Sequence, residues 1–339
     1  LIYITPNKWL SIAYGKVLRN IVFEYISSIC DCRNIKVFDA GNEPIITLIS
    51  KSPSATIKTL RFNTSYIVRH LHDIPKTLIS KDTLGAIISE HIKLLMKIKS
   101  AGKCINSASV ENPFSTSEAY QLIPLICDSY ENEKVYKLIN TGTIDPYLSL
   151  WGKVETRYLK FKYKHPIIDK SLFAKKFPKR VRQASAIKIV VSGMRNFEAY
   201  FDENGEYIAG KSTIIIIGLN VQQNKIMLAI LNSKLISFYI RESYSTLGIG
   251  GGINFSQEMV SNLPISDIFS INNKLVEYVD SLLLLITSSN NNNDEYVNIL
   301  KKKIELIVSH FYGLTYDEVL IVDPQTLITR EEYERTNME

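Results

Sequence analysis

Cysteine is scarce here and poorly spaced for chemistry. The 339 residues hold four, Cys30, Cys32, Cys104 and Cys127, and no two form the Cys-x-x-Cys pair of a zinc or redox site. The five histidines, His70, His72, His91, His165 and His310, bring no nucleophile-and-acid set with them and read as structural or surface residues. No metal is expected, and the thiols are expected to be reduced, as in the cytoplasm. Long apolar runs are missing too. The longest, around 214–217 and 282–286, fall far short of the ~20 residues of a membrane helix, so a membrane is not an expected partner. No signal-peptide pattern is present. The chain opens on Leu1-Ile2-Tyr3-Ile4 without a preceding Met, as expected of a segment cut from something longer.

Nor is there a large excess of one charge: the net value is only +6. Its distribution is uneven. Residues 153–182 hold eleven Lys or Arg against Glu155 and Asp169, a local balance of +9 that leaves the remainder at −3. Concentrated positive charge interleaved with aromatics (Tyr158, Phe161, Tyr163) suits a polyanion such as duplex DNA. Arg157, Lys160, Lys162, Lys179, Arg180 and Arg182 are the candidate phosphate contacts; the alternative is a solvated lysine-rich surface.

What is present divides into several units, as the length requires. Residues 1–52 read as a buried strand at 1–4, a helix from about 9 to 25, and strands at 34–38 and 45–50. This α/β fragment is too small to cover both faces of a sheet. Residues 53–100 read as a linker and a helix from about 82 to 100. Residues 101–268 read as an α+β domain with strands at 136–139, 187–191, 197–201 and 213–218. A hairpin turn is expected at Asp202-Glu203-Asn204-Gly205, and a helix from about 225 to 239. Residues 269–339 read as C-terminal helices, two of them split by a polar run at 288–293.

Three local patterns bear on binding. Met194-Arg195-Asn196 lies between two expected strands, where Arg and Asn can read guanine and adenine edges; a plain hairpin tip is the alternative. Gly210-Lys211-Ser212 has the ending of a nucleotide-binding loop, and Gly205 fits its first glycine. A β run follows it instead of the required helix, so a hairpin is expected, with Lys211 kept as a phosphate contact. Gly248, Gly250, Gly251 and Gly252 are not spaced as Gly-x-Gly-x-x-Gly and follow a helix, not a strand. Gly250 and Gly251 either admit a DNA phosphate to the backbone or serve positive φ angles.

Several segments, in order, resemble the TaqI-like C-terminal specificity domain of type IIG restriction-modification enzymes and their adenine-N6 DNA methyltransferase relatives. They include Ser115-Thr116-Ser117-Glu118-Ala119-Tyr120, Asn140-Thr141-Gly142-Thr143-Ile144-Asp145-Pro146-Tyr147 and Leu150-Trp151-Gly152. Pro178-Lys179-Arg180, Asn262-Leu263-Pro264-Ile265 and Phe311-Tyr312-Gly313-Leu314-Thr315 continue the series. The resemblance covers roughly 100–325. The turn Thr5-Pro6-Asn7-Lys8 and the strands after it resemble the end of the family's Rossmann-like methyltransferase sheet.

The resemblance implies a prokaryotic, cytoplasmic DNA-binding protein in which 101–268 is a target-recognition domain. It also implies an upstream methyltransferase domain in the same polypeptide that uses S-adenosylmethionine. The motifs for that chemistry are not in this chain. No glycine-rich loop follows a first strand, and no two prolines are adjacent. The Asn/Asp-Pro-Pro-Tyr/Phe loop that holds a flipped adenine is therefore missing. Asn112-Pro113-Phe114 and Asp145-Pro146-Tyr147 each lack one proline, and Leu48 and Ile49 stand where the family has an aromatic. No catalytic or cofactor residue is expected here, and no Asp…Glu-x-Lys nuclease cluster is seen. The other reading is a stand-alone specificity subunit that positions a separate catalytic protein.

Overall fold

A computed structural model describes residues 1–39, 43–81, 84–102, 105, 109–129, 134–244, 253–266, 272–288 and 294–336. The chain is mixed α/β and divides into two compact units, 1–98 with 238–253, and 99–237 with 254–339.

The first unit contains β1 (Ile2–Pro6), α1 (Lys16–Val22), β2 (Ile26–Asp31), β3 (Pro44–Ile49), β4 (Thr56–Phe62), β5 (Val68–Pro75) and the start of α2 (Ile92–Ala101). The strands form one sheet in the order β1-β3-β2-β4-β5. Only β2 and β4 pair in parallel; the other three pairings are antiparallel. Leu10, Ile26, Ile29, Ile45, Ile57 and Ile87 form its buried core. Across β2 and β4 the buried Arg61 donates from Nε to Asp31 Oδ2 at 3.0 Å. This satisfies a carboxylate that water does not reach, as burial of a charge requires.

Several expectations change here. The helix expected over 9–25 is broken into 3-10 turns at Asn7–Leu10 and Ala13–Gly15 before α1 begins. The reason is Arg19, which is buried and donates to the carbonyls of Trp9 and Ile12 at 2.6 and 2.9 Å. Those carbonyls are thereby drawn toward a side chain. The strand expected at 34–38 is a turn, and Ile26–Asp31 is the strand instead. β1 is an exposed edge strand and not a buried one. Residues 53–80, expected to link two domains, supply β4 and β5 of the same sheet.

The second unit begins with β6 (Ser109–Glu111), α3 (Thr116–Leu122), β7 (Cys127–Asp128), β8 (Val135–Ile139), β9 (Ile144–Asp145) and β10 (Leu148–Ser149). Next come β11 (Thr156–Tyr158), β12 (Phe161–Tyr163), β13 (Pro166–Asp169), α4 (Lys170–Lys176) and α5 (Val181–Ser185). Then follow β14 (Lys188–Ser192), β15 (Met194–Arg195), β16 (Ala199–Asp202), β17 (Tyr207–Ala209), β18 (Thr213–Ile217), α6 (Val221–Leu231) and the start of α7 (Lys234–Ser243), whose residues from Phe238 on belong to the first unit. β19 (Ile253–Asn254), α8 (Gln257–Ser261), α9 (Asn273–Thr287), α10 (Asp294–Phe311), α11 (Tyr316–Val322) and α12 (Arg330–Thr336) complete the series.

Two four-stranded sheets dominate this unit, ordered β17-β8-β13-β7 and β16-β14-β18-β6. Ile139 and Tyr207 of the first pack with Val190, Ile215 and Ile217 of the second in one buried cluster. The turn at 202–205 is present, with Gly205 at φ +64°, but it is not a hairpin. β16 pairs with β14, whereas β17 crosses to pair in parallel with β8. Asp202 explains the crossing: its carboxylate accepts from the backbone N–H of Glu206 and Tyr207, both at 3.0 Å. It also holds the buried Lys188 ammonium at 2.5 Å. The helix expected over 225–239 is likewise two helices. Asn232 separates them because its amide bonds both backbone groups of Ala199, at 2.9 and 3.0 Å. The two helices expected around the 288–293 run are α9 and α10.

Candidate nucleic-acid interface

The cleft that gathers the sequence candidates is built at the end of β8. Asn140 caps the 3-10 turn Thr141–Thr143, and its side chain ties that turn to two distant stretches. Its amide donates to the carbonyl of Arg157 at 2.8 Å, and its Oδ1 accepts from Ser212 Oγ at 2.5 Å. Thr141 Oγ1 donates to the Ser212 carbonyl and accepts from the Gly193 N–H, the latter at 3.2 Å. Gly210 must be glycine, because a Cβ there would sit 2.5 Å from Asn140 Oδ1. Four stretches far apart in sequence are thus held together by short polar side chains.

They enclose a cleft of about 710 Å³ whose wall includes Arg157, Arg195, Asn196 and Lys211. Arg195 is exposed and sits at φ +70°, in the left-handed region that costs a side-chain-bearing residue energy and that gathers at binding sites. The turn is held by Ser192 Oγ, whose single hydroxyl proton is shared between the carbonyls of Met194 and Asn196 at 3.0 and 2.9 Å. Asn196 donates to Glu198 at 3.3 Å. Arg157 is exposed, with Nε 3.4 Å from the Leu159 carbonyl. A strained backbone presenting an exposed guanidinium into a cleft is an arrangement suited to a planar acceptor pair or a phosphate.

The other basic candidates lie elsewhere in the unit. Lys160 lies 5.5 Å over the Phe161 ring, and Lys162 pairs with Glu155 at 2.9 Å; both belong to the β11–β12 hairpin. Lys179 is exposed in the turn Pro178–Arg180. Arg180 is engaged by the protein itself. It grips Glu118 through two bonds, at 3.0 and 2.7 Å, and holds that carboxyl down at about pKa 2. Arg182 meets Glu111 at 2.5 Å. Burial would raise Glu111, but bonds from Ser109, Gln183 and Arg182 outweigh it and bring the group to about 2. Arg180 and Arg182 therefore tie α5 and the turn before it to β6 and α3. Gly250 and Gly251 lie outside the described residues.

Two further wall residues were not among the binding candidates of the sequence. Asp145 and Glu198 bring carboxylates into the same cleft. Burial pushes the Glu198 carboxyl above its ordinary range; the bond from Asn196 opposes this and the nearby Asp145 charge adds to it. Asn140, Thr141 and Ser212 stood in motifs the sequence offered, but their part in building the cleft was not legible, because the bonds from Gly193 and Ser212 to this turn span 52 to 72 positions.

Residues 150–265 match the family model of the TaqI-like C-terminal specificity domain. No curated protein matches the chain. Among solved structures, the type IIL restriction-modification enzyme MmeI in complex with DNA is similar at 10% identity and a TM-score of 0.49. That match covers 100% of this chain and 50% of MmeI. The type IIG restriction endonuclease BpuSI is similar at 10% identity and a TM-score of 0.38, over 92% of this chain and 47% of BpuSI. The chain thus spans half or less of the length of these proteins. Arg157, Arg195, Glu198 and Lys211 fall inside the matched span and Asn140 just before it, so the cleft lies largely in the part of the chain that matches the TaqI-like C-terminal specificity domain model.

Proposed function

We propose that this chain recognises a specific sequence in duplex DNA on behalf of a restriction-modification adenine-N6 methyltransferase. The observation that carries the reading is the convergence of Arg157, Arg195 and Lys211 on one cleft within a specificity domain. Phosphate contacts give affinity and base-edge contacts give sequence preference. A lysine with no ion pair among the described residues, such as Lys211, serves the first, and a guanidinium on a fixed turn serves the second.

In this reading the methyltransferase domain precedes residue 1 in the same polypeptide, and the first unit is the end of its sheet. The exposed apolar side chains of Ile2, Tyr3, Val17 and Ile21 support it, each more than half exposed. An edge strand with such residues calls for cover. S-adenosylmethionine belongs to that domain. The residues described here do not fit it: no strand runs through a glycine-rich turn into a helix. The nearest case, β18 into α6, has the single glycine Gly218 and an Asn220 cap. The same apolar surface also suits the second reading, a specificity subunit that docks a separate catalytic protein.

The test is binding of the 339-residue chain to duplexes selected from a random pool, measured over a range of salt. Selective, salt-sensitive binding supports the reading; equal affinity for selected and unselected duplexes overturns it. An upstream reading frame that encodes the glycine-rich and Pro-Pro-Tyr motifs favours one polypeptide over two.

A further inference from the structure

The cleft contains two carboxylates where its proposed ligand is a polyanion. Against phosphate they only repel. Their placement is nevertheless fixed. The Glu198 carbonyl accepts from the Ser192 N–H at 2.8 Å, and the next residue, Ala199, is clamped on both backbone groups by Asn232. The Glu198 side chain forms no ion pair among the described residues, although three cationic side chains line the same cleft; its partner there is the Asn196 amide. Partial burial strips water from this carboxylate, and the neighbouring Asp145 disfavours its charge further. A half-buried carboxylate kept apart from available cations is poorly explained as a structural ion pair.

A carboxylate can only accept hydrogen bonds, and phosphate oxygens have none to give. The donors that a duplex exposes in its major groove are the exocyclic amino groups, N4 of cytosine and N6 of adenine. We propose that Glu198 is a specificity-determining residue whose carboxylate accepts a hydrogen bond from such an amino group, beside the turn that presents Arg195. This rests on the reading of the cleft as a DNA interface. Asn196 orients the carboxylate from one side. Arg195, three residues away on the same wall, supplies the complementary donor for a guanine.

Amino-group deletion tests it. A preferred duplex is selected with the wild-type chain. Each preferred cytosine is then replaced by pyrimidin-2-one and each preferred adenine by purine, which removes only the amino group. Binding is measured for the wild type and for Glu198→Ala. At one position the deletion should weaken wild-type binding about tenfold and leave Glu198→Ala unaffected; whether that position holds cytosine or adenine identifies the base. Should Glu198→Ala fail to fold by circular dichroism, the near-isosteric Glu198→Gln replaces it, and the deletion should cost Gln less than the wild type. Equal cost in wild type and variant at every position overturns the assignment of Glu198 and leaves the interface reading standing. Failure of the wild-type chain to prefer any duplex overturns the interface reading itself.

Discussion

Asn140 and Ser212 lie 72 positions apart, yet the Ser212 hydroxyl donates to the Asn140 Oδ1 at 2.5 Å while the other end of the same amide holds the Arg157 carbonyl. One side chain thereby sets the spacing of three walls of the cleft. Asn140→Ala leaves Ser212 and a main-chain carbonyl without their partner. It should cost about 1–3 kcal/mol in urea unfolding and should weaken selected and unselected duplexes unequally, with the larger loss on the selected one. Unchanged discrimination would mean that Asn140 serves stability alone.

Arg195 combines a strained backbone with a place on the cleft wall. Arg195→Ala should lose about 1–3 kcal/mol of discrimination at one base position with little change in affinity for unselected DNA. Arg195→Gly removes the same side chain and relieves φ +70°, so it should unfold with a midpoint above that of the Ala variant, by roughly 1 kcal/mol in stability. A uniform loss on every duplex would instead place Arg195 on a phosphate.

The basic residues should separate by salt dependence. Lys211→Ala should reduce the slope of log K against log[salt] by about one. Arg180→Ala should change that slope little and instead destabilise the fold by about 1.5–3 kcal/mol, the usual worth of bonds to a charged group. A lowered slope for Arg180→Ala with unchanged stability would return that residue to the phosphate contacts.

Glu305 predicts a pH effect of the opposite sign from most carboxylates. Burial pushes it up to about 7, even though its oxygens accept from the Lys234 N–H at the start of α7. A carboxyl whose pKa is higher folded than unfolded binds its proton more tightly in the fold. Its contribution therefore stabilises the protein as pH falls through 7 and levels off below about 4.3, the ordinary glutamate value. Thermal unfolding from pH 5 to 8 should show the wild type losing stability relative to Glu305→Gln as pH rises. A pH profile identical in both proteins would remove Glu305 as its source.

The sequence by itself determined the elements whose signals are local. β8, β14, β18, α9 and α10 are runs of apolar residues at the right period with turn residues at their ends, and each forms where its pattern places it. The ordered segments that resemble the TaqI-like specificity domain were legible for the same reason: they are contiguous. Arg157, Arg195, Asn196 and Lys211 could be singled out as basic or polar residues at turns, but nothing in the sequence placed them in one cleft.

Only the tertiary structure decided partners. Arg180 reads as one more cation of a basic stretch until Glu118, 62 positions earlier, is found to hold it. The turn at 202–205 reads as a hairpin until the Asp202 carboxylate sends the next strand to β8. The helix continuing past 231 breaks because Asn232 finds Ala199. In each case a polar side chain satisfies a group that is distant in sequence. Periodicity reports which face of an element is buried; it carries no record of which buried donor a given acceptor will meet, and that pairing is settled only when the chain is packed.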